Sequence, residues 1–169
     1  MPAWEHIDTQ SPDLLDLLAR WEALRGERRY PARADIDPAA FRPHLGTVML
    51  IAPHQGDRLQ FRYRLIGDLI ASRAGYDLTG RTFDDLPDPA FRDFCQHLFE
   101  RALALGEPIS ATGRRLIAGE PFYFDSLVLP LSTDGVAIDM FLAKLIYPAE
   151  MNPAGPPAAP WNWHKKEST

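Results

Sequence analysis

The first apolar pattern along the chain has helical spacing. Leu14, Leu17, Leu18, Trp21 and Leu24 form one stripe. Ser11-Pro12-Asp13 introduces it with a hydroxyl cap, a proline at the first helical position and an acid near the positive helix end. Gly26 supplies a stop. So apolar a stripe must be buried, either over the outer face of a sheet or against a second copy of the chain. Asp37 before Pro38 is a second cap signature, which predicts a short helix through Phe41 that Pro43 ends.

The pattern then changes to strands. Thr47 to Ala52 is a short apolar run, with Thr47, Met49 and Ile51 read as the face that needs a cover. His54-Gln55-Gly56-Asp57 supplies a turn, and Leu59 to Ile66 alternates. Leu59, Phe61, Tyr63 and Leu65 share its dry face, and Gln60, Arg62 and Arg64 its wet one. Asp68 caps a short helix through Ser72 or Ala74, and Gly75 and Gly80 punctuate a loop. Asp88-Pro89 opens the clearest helix, running to about Leu105 and closed by Gly106. Phe91, Phe94, Cys95, Leu98 and Ala102 lie on one of its faces, with Arg92, Asp93, Gln96 and Glu100 turned away. Three further strands follow, Ile109 to Ile117, Pro121 to Leu131 and Val136 to Tyr147, the last two joined through Asp134-Gly135. Phe122, Phe124, Ser126 and Val128 share a face of the second of these, and Ile138, Met140 and Leu142 a face of the third.

Composition narrows the function. The chain has 169 residues, 46% hydrophobic and 24% charged, which suits one globular domain with flanking segments. Its net charge of −5 and the lack of a basic stripe argue against a nucleic-acid partner. Arg25, Arg28 and Arg29 sit beside Glu27 and read as a solvated connector. The single cysteine, Cys95, excludes an internal disulfide and fits a reducing compartment. No signal-peptide pattern or membrane-length apolar run is present, so a cytoplasmic location without a membrane partner is expected. Prolines 153, 156, 157 and 160 predict a stiff, extended tail. That tail carries Trp161 and Trp163, which either dock on a partner or pack back on the domain.

Several segments together resemble the PAS family. Phe61-Arg62-Tyr63-Arg64-Leu65-Ile66-Gly67, followed by Gly75-Tyr76-Asp77-Leu78-Thr79-Gly80-Arg81, is similar to the second strand and the G-x-x-(L/Y)-x-G loop of PAS domains. Pro31 to Pro38 and Leu129-Pro130-Leu131 before Asp134-Gly135 resemble an alphaproteobacterial subfamily of stand-alone PAS proteins. The resemblance spans about residues 11 to 148. It implies an α+β fold: a five-stranded antiparallel sheet of order 2-1-5-4-3, helices on one face, and an N-terminal helix. The chain then divides into an N-terminal helical extension (1–45), a PAS core (46–148) and the Pro/Trp tail (149–169). The implied function is a stand-alone sensory and signalling module, not an enzyme, that acts through protein–protein contacts.

The family's cofactor sites can be tested on the residues. The flavin-type G-x-N-C-R-F-L-Q motif is missing, and Cys95 lies inside the long helix on its apolar face. His97 is on the helix that carries a haem ligand in other members, yet its phase sets it about 60° outside the apolar edge, at ~100° per residue. His6, His44, His54 and His164 show no metal-ligand spacing. No cofactor or metal is therefore expected. Phe61, Tyr63, Leu65, Cys95, Phe124, Ser126 and Met140 are expected to line an inner pocket for a small, mostly apolar ligand, or else to fill the core. Leu14, Leu17, Leu18, Trp21, Leu24, Trp161 and Trp163 are the interaction candidates, with a homodimer expected and any other protein partner unknown. Two alternatives stand beside this reading. One is a small isomerase or hydrolase on a curved sheet, which needs a histidine on an inward strand face, and no predicted strand carries one. The other is a ligand-free scaffold subunit.

Overall fold

The computed structural model describes residues 4–157. Helix α1 spans Pro12–Arg25, with Ser11 accepting at its N-cap from the Leu14 N–H. Strands β1 (Val48–Gln55) and β2 (Leu59–Ile66) form a hairpin, followed by a short helix α2 (Asp68–Ala74) and the long helix α3 (Pro89–Leu105). Strands β3 (Ile109–Ile117), β4 (Glu120–Leu131) and β5 (Met140–Ile146) complete one antiparallel sheet of order β2-β1-β5-β4-β3. This is the five-stranded order expected from the resemblance.

The sheet has two buried faces. Against its inner face pack α3 and the loop before it, around Ile51, Phe61, Phe83, Phe99, Phe124 and Phe141. On its outer face α1 buries Leu14, Leu17, Leu18 and Trp21 against Val48, Leu50, Leu127, Leu129, Leu131 and Leu142, with Leu24 partly buried beside them. The Trp21 indole N–H donates to the Pro130 carbonyl at 2.8 Å, which fixes the helix over β4. Of the two covers left open by the sequence, the intramolecular one is realised. The stripe is consumed within the chain, which corrects its assignment as a dimer surface.

Four expectations change for identifiable reasons. Pro38 to Phe41 is a turn, and Pro43 lies in the first turn of a 3-10 segment, Arg42–Thr47; a proline lacks only an N–H that a first helical turn leaves unpaired anyway. Strand β1 extends to Gln55, so His54 does lie in a strand, at its exposed end. Strand β5 starts at Met140 and not Val136. Asp134 accepts from the Val136 and Ala137 N–H groups at 2.8 and 2.9 Å and holds that stretch as a loop. Finally, Met49 and Ile51 face inward, opposite Ala143 and Phe141, while Val48 and Leu50 take the outer face under α1.

The beginning of the tail belongs to the fold. The buried Asn152 side chain accepts from the Tyr123 N–H at 3.0 Å and donates to the Tyr123 and Pro148 carbonyls at 2.8 and 2.9 Å. Trp161 and Trp163 lie outside the described residues.

Candidate functional site

Between the inner sheet face and the helices remains a cavity of about 60 Å³. That is room for a few waters and well below the ~300–1,000 Å³ of ordinary ligand clefts. Aromatic packing explains the small volume. Phe61, Phe83, Phe99 and Phe141 contact one another at ring-centroid distances of 5.1 to 6.4 Å. Phe124 meets Phe91 and Phe94 edge-on across Gly113, where a β-carbon would sit 2.6 Å from the Phe124 ring.

Of the seven pocket residues read from the sequence, Tyr63, Cys95, Phe124 and Ser126 line this cavity, and Phe61 packs in the same core. Leu65 and Met140 do not line it. Strand β2 carries a bulge: Ile51 pairs with Tyr63 but Leu50 with Leu65, which leaves Arg64 as the extra residue. Side-chain parity therefore reverses, so Leu65 turns outward and Ile66 inward. Met140 pairs with Leu131 and packs with the outer cluster, because β5's inner face is Phe141, Ala143 and Leu145. The Ser126 hydroxyl donates to the Ala111 carbonyl at 2.7 Å and is already committed to the sheet.

The polar group that the sequence reading passed over is Arg115. It lies on the inner face of β3, 6% exposed, and lines the cavity. Its Nη2 donates to the Tyr76 hydroxyl at 2.7 Å, and its Cζ stands 4.0 Å from the Phe91 ring centroid. Its Nε has no hydrogen-bond partner, and among the described residues no carboxylate lies within 4.0 Å of the guanidinium. Asp88 feels its charge but uses its oxygens on the Leu116, Ala90 and Phe91 N–H groups at 2.9, 3.1 and 3.4 Å. Burial pushes that carboxyl up, and those backbone bonds together with Arg115 bring it below its ordinary value.

Every titratable neighbour of Arg115 inside the core is neutral at pH 7. Burial raises the Tyr63 hydroxyl well above 10, and raises Tyr76 and Tyr147, with Arg115 opposing each. Burial likewise pushes the Cys95 thiol up to about 12. The cavity thus presents one fixed positive charge among neutral hydroxyls, a thiol and aromatic rings. None of the side chains lining it is a histidine or a carboxylate. His97 is exposed, its Nδ1 2.8 Å from the Asp93 carbonyl.

A second polar cluster lies on the outer face of the same sheet. Lys144 of β5 is buried and places its Nζ 2.8 Å from Asp13 Oδ2 and 3.0 Å from His44 Nδ1. Lysine can only donate, so His44 Nδ1 accepts and its Nε2 carries the proton donated to Asp16 Oδ2 at 2.7 Å. This chain of bonds joins the central strand to two carboxylates of α1. A lysine inside Phe141 to Ile146 was the sequence signal for it.

Comparison with known proteins adds the following. A family model described as a PAS domain matches residues 9–146. The PAS domain of Bordetella pertussis BvgS superposes with a TM-score of 0.52 at 17% identity, over 78% of this chain and 97% of that one. A light-oxygen-voltage domain whose structure was described with a flavin analogue gives 0.52 at 15% identity, over 66% and 84%. The Rhodobacter sphaeroides light-oxygen-voltage protein gives 0.50 at 17% identity, over 70% and 72%. No curated protein matches the sequence. At these identities the structural likeness establishes the fold.

Proposed function

This chain belongs to the PAS domain family, and from that membership we propose that it is a sensory module. Its inner cavity takes a small organic ligand, and its state is passed on by protein contact. PAS domains are generally sensory modules, but the fold hosts many inputs, so the reading has to rest on the site. The observation that carries it is a buried, incompletely bonded guanidinium lining a cavity in an otherwise apolar core. A sealed scaffold would gain nothing from such a group, since an unsatisfied buried donor costs about 1–3 kcal/mol.

The route outward runs through the sheet. Lys144 belongs to the strand that forms the cavity's inner wall through Ala143 and Leu145, and its ammonium is held by Asp13 of α1. A ligand that displaces β5 would therefore be felt at α1. The homodimer expected from the sequence must use residues other than the buried α1 stripe. Leu45 and Leu65 are exposed and line an outer groove with Ile36, Phe41 and Leu142, which makes that edge the favoured contact surface. The enzyme alternative loses support from a cavity without an acid–base pair.

Stripping tests the reading. Protein isolated under native conditions should melt higher than the same protein unfolded, dialysed and refolded, because occupancy at 100 times Kd adds about 2.7 kcal/mol. Identical melting curves, with no small molecule recovered in the dialysate, would favour the ligand-free scaffold instead.

A further inference from the structure

We propose that the inner cavity is specific for a small organic monocarboxylate, with Arg115 as its anchor. This rests on the ligand-binding reading above and names the class of ligand. Three features of the site point to that chemistry. First, the charge of Arg115 is buried without a carboxylate partner among the described residues, and desolvating a charge is costly unless something pairs with it. Second, its Nε makes no hydrogen bond although the Tyr76 and Tyr147 hydroxyls both engage the guanidinium, so the planar fork keeps that donor for an added acceptor. Arg62 also has an unbonded Nε, but it is only half-buried and does not line the cavity. Third, most of the other side chains lining the cavity are apolar, among them Ile51, Leu98, Phe99 and Val128. One anionic end and one short apolar end therefore match the space. Its volume of about 60 Å³ limits the body to a few carbons. A dianion would bury a second charge with no cation to meet it.

The test is a calorimetric and NMR titration of the whole chain with butyrate, with butyramide as its near-isosteric neutral counterpart, and with chloride. Butyrate should bind at least about tenfold more tightly than butyramide, the factor that one charge-assisted contact supplies. Its shifts should centre on the amides of β3 and α3. Arg115→Lys should retain weakened binding and Arg115→Gln should lose the preference for butyrate. The wild-type comparison decides even if a variant fails to fold. Equal binding of butyrate and butyramide would overturn the carboxylate assignment while leaving the cavity as a ligand site. Binding of chloride alone would overturn it in favour of a simple anion site. No binding of any of the three at millimolar concentration would overturn the assignment and, with an unchanged melting curve after stripping, the sensory-ligand reading as well.

Discussion

Arg115 was partly legible in the sequence. Ile109, Ala111, Gly113, Arg115 and Ile117 keep period two along one strand, so an arginine shares a face with two isoleucines. Which face of an edge strand is covered is decided by α3, and nothing within β3 reveals it. Leu65 shows the same limit, because a bulge at Arg64 is set by pairing and not by composition. Gly67 reads as a break, but its reason is tertiary. A β-carbon there would overlap the Gly46 carbonyl and stand 2.9 Å from the Thr47 nitrogen, both backbone atoms. Gly67→Ala should therefore cost about 1–3 kcal/mol in urea unfolding, whereas an unchanged midpoint would show that the two loops can separate freely. Cys95 gives a chemical test. With its thiol held near 12 by burial, it should resist a disulfide reagent at pH 8 in the native protein and react at once in denaturant. The linkage has a definite sign: from the ordinary value of 9.0 to about 12 the unfolded thiol ionises first, so this group withdraws stability as pH rises through that window.

At the scale of elements, the outer face makes the strongest statement. Leu17 has no exposed surface beneath α1, so Leu17→Glu should destabilise the monomer by several kcal/mol, on the order of a buried unpaired charge. A variant that melts like wild type would mean that α1 is not a cover. Asp13→Ala leaves the buried Lys144 ammonium without its carboxylate. Because Asp13 is half-exposed, the cost should be nearer 1–2 kcal/mol than the full burial penalty. Lys144→Met in that background should recover most of it, and failure to recover would argue against the pair. Truncation after Pro148 removes the Asn152 clasp and should lower the melting temperature. Helix α3 and strands β2 and β3 were legible to the residue because caps, prolines and alternation agreed there. Where a side chain competed for backbone donors, as Asp134 does before β5, apolar content alone predicted strand and the loop won.

The whole molecule is one sheet between two unlike layers: an aromatic, helix-covered interior with a buried cation, and an aliphatic outer face closed by α1. The order of elements made this architecture readable, since few topologies accommodate two strands, helices and a three-stranded meander. The cavity was not readable, because its size depends on how Phe83, Phe99 and Phe141 interdigitate. Among the described residues no helix is long and apolar enough to cross a membrane. The proposed function requires that the interior be a ligand site and not a filled core. Native mass spectrometry of the whole chain, isolated with minimal dilution and supplied with butyrate, tests it most directly. The expected result is a one-to-one adduct that persists across charge states and disappears on denaturation. The bare polypeptide mass in every charge state, both as isolated and at concentrations of butyrate that saturate any millimolar site, would contradict it.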